Sequence, residues 1–183
     1  MRFLAPILLL LAGACSPTVK APETVPMVSP ILTTEDAKDP FTFAQPEVAR
    51  VTHVALNLAL DFDTQTVAGS ATLDIQAADD SDTVILDSNG LEISGVTDEG
   101  GAPLSFKVGN VVEGKGAPVT VIIGDTRQIT VVYSAKNAEA LQWLAPAQTA
   151  GGEHPYLLSQ GQPTLNRTWI PTQDSPGIRQ TWE

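Results

Sequence analysis

The sequence predicts an all-β domain, an antiparallel sandwich or a curved, saddle-like sheet. Three observations predict it. Short β-prone runs recur past Phe41 at roughly 8–12-residue spacing, Gly-rich turns separate them, and no segment sustains a helical period.

The first run, residues 53–62 (HVALNLALDF), alternates. Val54, Leu56, Leu58 and Leu60 fall on one face and Ala55, Asn57 and Ala59 on the other, as in a half-buried strand. A turn at residues 63–66 (DTQT) leads into residues 67–76 (VAGSATLDIQ), the antiparallel partner. Residues 83–86, 91–96, 103–108, 118–123 and 128–133 supply further strands. Ser-Asn-Gly, Asp-Glu-Gly-Gly and Glu-Gly-Lys-Gly turns separate them. The body of the chain, residues 41–183, is therefore read as one β domain.

Two different segments precede it. Residues 1–14 carry one early Arg, an apolar run over residues 4–11 and a small-residue stretch, the order of a secretory signal. That run is far shorter than the ~20 residues that span a bilayer. Residues 11–15 (LAGAC) resemble a bacterial lipobox, with Ala12 a less usual residue at its position. Cleavage there would leave a lipidated Cys15 as the new N-terminus; a plain signal peptide cut near Ala14 is the other reading. Ser16 in place of Asp after the cysteine weakly favours the outer membrane over the inner, so the expected location is the lipid-anchored cell envelope. Residues 15–40 hold five prolines and no apolar period, and read as a tether. Extended at ~3.1 Å per residue, it would reach about 80 Å.

Composition narrows the chemistry. A formal charge of −11 with ten Lys and Arg argues against nucleic acid as a partner. The single cysteine excludes an intrachain disulfide and a multi-cysteine metal site. His53 and His154 are the only histidines and neither begins an HExxH, so no zinc site is expected within this chain. No serine lies in a GxSxG elbow. The acidic residues Asp79, Asp80, Asp82, Asp98 and Glu99 sit in turn-like stretches and read as solvated.

The last third is denser. In the stretch HPYLLSQGQP, an extended strand would put Gln160 and Gln162 on one face and Ser159 and Gly161 on the other. Two neutral amides side by side suit either a polar ligand or neighbouring backbone at a sheet edge. Glu153 and Asp174 flank turns and read as structural, with Arg167 an ion-pair partner for Asp174. Trp143, Tyr156, Trp169 and Trp182 read as core or interdomain packing.

This region resembles the N-terminal domain of the M1 zinc aminopeptidases, on the leukotriene A(4) hydrolase branch and in a bacterial lipoprotein form. The resembling residues are Leu141-Gln142-Trp143-Leu144, Pro146, Gln148-Thr149, Glu153-His154-Pro155-Tyr156-Leu157, Ser159-Gln160, Gln162, Arg167, Pro171, Gln173-Asp174 and Pro176. The resemblance implies a saddle-like β domain lying against a catalytic domain of the same polypeptide, which carries the zinc. It also implies that Gln160 and Gln162 line the floor of the cleft and help hold the α-amine of a peptide substrate. Gly161 would permit a close backbone approach and Pro163 would end the ladder. The family's GxMEN loop, its HExxH and its transition-state tyrosine are absent from this sequence. Residues 178–183 read as a strand in progress, so the domain is expected to be truncated and the chain alone inactive. The alternative is a self-sufficient, lipid-anchored β binding module.

Overall fold

The computed structural model describes residues 38–183. The signal peptide, Cys15 and nearly all of the tether lie outside the described residues. Ten strands form three sheets: β1 (Ala49–Asp61), β2 (Thr66–Ala77), β3 (Thr83–Ser88), β4 (Glu92–Asp98), β5 (Phe106–Val108), β6 (Ala117–Ile122), β7 (Gln128–Lys136), β8 (Leu141–Leu144), β9 (Tyr156–Ser159) and β10 (Thr181–Trp182). A five-stranded sheet runs in the order β10-β1-β2-β7-β4, a three-stranded sheet in the order β3-β6-β5, and β8 pairs with β9 alone. The all-β expectation holds, and every pairing is antiparallel except β1 with β10.

β1 and β2 form the long hairpin that the alternating sequence predicts, in unbroken register from His53 opposite Asp74 to Asp61 opposite Thr66. The register shifts between Val51 and His53. A bulge adds a residue on one strand, so Val51 and Val54, three apart, both turn inward and are fully buried. Alternation alone would have sent one of them to solvent.

One hydrophobic cluster draws on both larger sheets, with Leu73, Ile129 and Val131 from one and Leu86, Val119 and Val121 from the other, each wholly buried. Side chains of this size contribute roughly 1.5–3 kcal/mol each when fully buried. A buried amide links the sheets. Gln173, 1% exposed, donates Nε2 to Ala49 O at 2.8 Å and to Ile85 O at 3.1 Å, and its Oε1 accepts from Val51 N at 2.9 Å.

Packing fades along β1. Val54 is fully buried, Leu56 and Leu58 are half-buried, and Leu60 is 47% exposed. The loss of cover towards Asp61 leaves an apolar surface beside β8 and β9.

Candidate functional site

The β8–β9 hairpin carries the first part of the site. Leu141 pairs with Ser159, and Gln160 N donates to Ala140 O at 2.8 Å. There the strand stops. Residues 162–165 form a turn closed by Leu165 N donating to Gly161 O at 2.8 Å, and a 3-10 turn, Asn166–Thr168, follows directly. The strand through Gln160 and Gln162 is thus corrected: the chain's hydrogen bonds are taken by a turn, so the two amides do not share a strand face. Pro163 does not end a ladder either, because the ladder has ended at Ser159. The Gln162–Pro163 peptide bond is cis.

Both glutamines are exposed. Gly161, Gln162 and Pro163 line an open cleft of about 660 Å³ together with Asn166, Asp174, Ser175 and Pro176; Gln160 does not line it. The close approach expected at Gly161 is present, but a side chain makes it rather than backbone. A Cβ on residue 161 would stand 2.1 Å from Asn166 Oδ1 and 2.7 Å from Asn166 Cγ.

Beneath the cleft lies a buried charged cluster. Arg167, 3% exposed, pairs its Nε with Asp174 Oδ2 at 3.3 Å and stands 3.8 Å from Asp87 Oδ2. Its remaining donors reach three carbonyls: Phe41 O at 2.6 Å, Lys115 O at 2.7 Å and Asp174 O at 2.5 Å. Asp87, fully buried at the end of β3, accepts from Thr42 Oγ1, Phe43 N and Asp174 N. Burial pushes the Asp87 carboxyl above the ordinary range, against the pull of those hydrogen bonds and of Arg167. The ion pair expected between Arg167 and Asp174 is present; it is buried, and a second carboxylate, Asp87, stands beside it. Thr42 carries no local sign of this role, and the sequence around Asp87 does not name its partners, because they lie elsewhere in the chain. An Asp inside an otherwise apolar strand is the one usable hint.

The remaining candidates sit apart. His53 Nδ1 lies 2.7 Å from Thr181 Oγ1, where β1 meets β10. Glu153 and His154 are exposed on the β8–β9 connection. Among the described residues, no group of three or more His, Cys, Asp or Glu could hold a metal ion, so the donors present do not fit a zinc site. Trp143 meets Phe62 edge-on at 5.0 Å, and Tyr156 and Trp182 are 56% and 47% exposed.

A second surface adjoins the first. Leu56, Leu58, Leu60, Leu141, Leu157, Ser159 and Trp169 line an open, mainly apolar hollow of about 360 Å³. It lies along the edge of β1. β10 covers that edge only as far as Leu56, whose N donates to Glu183 O at 2.9 Å. Amides alternate sides along a strand, so those of Leu58 and Leu60 point the same way as that of Leu56. Past Leu56, no strand among the described residues pairs with β1 on that side.

The sequence pattern of the peptidase M1 N-terminal domain matches residues 50–183. Leukotriene A-4 hydrolase of Xenopus laevis is 39% identical over 153 residues, which cover 79% of this chain and 25% of that protein. Leucine aminopeptidase 2 of Yarrowia lipolytica is 32% identical over 151 residues, 80% of this chain and 23% of that protein. Among solved structures, native leukotriene A4 hydrolase from Saccharomyces cerevisiae superposes with a TM-score of 0.73 at 25% identity, covering 82% of this chain and 25% of that one. An M1 zinc metallopeptidase from Deinococcus radiodurans shares the fold, with a TM-score of 0.53 at 18% identity over 76% of this chain and 32% of that one. The chain spans about a quarter of the length of the curated relatives it matches. By sequence pattern and by fold alike, the chain belongs to the peptidase M1 N-terminal domain family.

Proposed function

We propose that this chain is the substrate-anchoring domain of an M1 zinc aminopeptidase, and that Gln162 accepts a hydrogen bond from the free α-amine of a peptide. The observation that carries the reading is the placement of Gln162: exposed on the rim of an open cleft, yet mounted on a turn tied to a buried charged cluster. An amide oxygen can accept from an ammonium without adding a second charge. Holding the substrate's N-terminus at a fixed point determines which peptide bond reaches the reactive groups, the positional contribution a non-catalytic domain can make. Gln160, two residues away on the same exposed segment, is assigned a supporting contact. The net charge of −11 suits a cationic amine better than an anionic ligand.

The proposal assigns the zinc to a catalytic domain of the same polypeptide, with ligands outside this chain. The apolar hollow is a surface such a partner would cover, because a contiguous exposed apolar patch is otherwise an aggregation hazard. Anchoring through a lipidated Cys15 in the cell envelope completes the reading and rests on the LAGAC sequence alone.

The test uses the polypeptide that joins this chain to its catalytic domain. Gln162→Ala should raise KM for an aminoacyl substrate with a free α-amine by about 10- to 100-fold, the loss of one hydrogen bond to a charged group at roughly 1.5–3 kcal/mol. kcat should change far less. An unaltered KM would remove Gln162 from substrate binding and favour a binding module with another ligand.

A further inference from the structure

We propose that Asn166 is a positioning residue, which transmits the fixed geometry of the buried charged cluster to Gln162. The inference rests on the reading of Gln162 as the amine anchor and names what holds that anchor in place.

Gln162 makes no side-chain hydrogen bond among the described residues, and its side chain is exposed. Its backbone must therefore be fixed by its neighbours. On one side, Leu165 N donates to Gly161 O and closes the turn. On the other, the Asn166 side chain lies against Gly161 so closely that a Cβ there would meet Oδ1 at 2.1 Å, Cγ at 2.7 Å and Nδ2 at 2.9 Å. Asn166 is itself held, because Nδ2 donates to Asp174 Oδ1 at 3.2 Å. Asp174, 5% exposed, is held in turn: its Oδ2 accepts from Arg167 N at 3.0 Å and Nε at 3.3 Å, and its N donates to Asp87 Oδ2 at 2.9 Å. A continuous contact path thus runs from the two buried carboxylates and Arg167 through Asn166 to the residue beside Gln162. A glycine at 161 is the condition for it, since any side chain would push the Asn166 amide off the turn.

Both ends of the path can be tested in the 183-residue chain. Backbone ¹⁵N relaxation should report a rigid Gln162 in the wild type, with an order parameter near 0.85, falling towards about 0.6 in Asn166→Ala. Gly161→Ala should shift the turn and lower thermal stability. The double variant Gly161→Ala/Asn166→Ala should recover that stability, because the collision is gone, without recovering the order at Gln162. If Gln162 stays rigid in Asn166→Ala, or if the double variant restores wild-type order, Asn166 merely fills space and the proposal fails.

The same variant in the polypeptide with its catalytic domain separates this proposal from the reading beneath it. Asn166→Ala should raise KM about three- to tenfold at nearly constant kcat, and should add little to Gln162→Ala, as expected of residues acting through one contact. Loss of order at Gln162 with an unchanged KM would overturn amine anchoring by Gln162 while leaving Asn166 as the residue that orders the turn.

Discussion

Residues 153–163 and residues 166–175 are neighbours in sequence, yet they solve opposite physical problems. The second stretch is polar and buried: Arg167, Thr168, Thr172, Gln173, Asp174 and Ser175 are all at most 9% exposed. Such burial is tolerated only where hydrogen bonds replace water, and Arg167, Gln173 and Asp174 have theirs. The first stretch is also polar but exposed, and Gln160 and Gln162 are left open to solvent. The difference teaches how to divide a dense motif. Polar residues that are buried and satisfied form the scaffold, and polar residues that project from it are available to a ligand.

The largest effect that could break this division lies at Arg167. Arg167→Met keeps much of the volume but removes donors from three carbonyls and a carboxylate, and leaves Asp87 and Asp174 buried without their counter-charge. Breaking a buried charged cluster in this way costs about 3–5 kcal/mol. A urea titration should show the midpoint falling accordingly; a loss below about 1 kcal/mol would mean the cluster behaves like a surface ion pair and is not the scaffold.

A smaller effect is expected at Gln173. Gln173→Leu fits the space but deprives Val51 N, Ala49 O and Ile85 O of a partner. Left unsatisfied, buried backbone groups cost about 1–3 kcal/mol each before relaxation, and a total near 3 kcal/mol is the expected loss. Gln173→Glu sharpens the result, because a carboxylate cannot donate to Ala49 O or Ile85 O and brings a charge into the core. It should be worse than leucine, whereas an order of Glu better than Leu would point to a solvated site.

Much of the fold was legible because its determinants are local. The alternation in HVALNLALDF and VAGSATLDIQ and the turn between them specify the β1–β2 hairpin, which the structure reproduces within a few residues. The four residues that begin β1, Ala49 to Thr52, escaped because the bulge after Val51 breaks the alternation. β10 escaped as a pairing because its partner His53 lies 128 residues away. The site was less legible. An assumed strand alternation drew attention to Gln160 and Gln162 and the family resemblance supplied their role, but the strand drawn through them was wrong because Gly161 O is taken by Leu165 N. Asn166 gave no signal of its role in sequence, and Asp87 only that of an Asp in an otherwise apolar strand. Asn166 matters through a contact with a glycine, and Asp87 matters because Thr42, Phe43 and Asp174 converge on it from 44 to 87 residues away.

The smallest expected effect is the most discriminating one. If residues 160–163 are presented by the fold rather than used by it, Gln160→Ala and Gln162→Ala should each change the unfolding free energy by no more than about 0.5 kcal/mol, the ordinary range for surface substitutions. Neither side chain is buried or makes a hydrogen bond within the described residues, so nothing in the folded state is lost with it. The comparison is sharpest when the same two variants are assayed for both stability and KM. A neutral effect on folding joined to a raised KM at Gln162 separates scaffold from site within one continuous stretch. A loss above about 1 kcal/mol would instead place the glutamines in the structural group with Gln173, because a side chain cannot stabilise the fold through contacts it does not make.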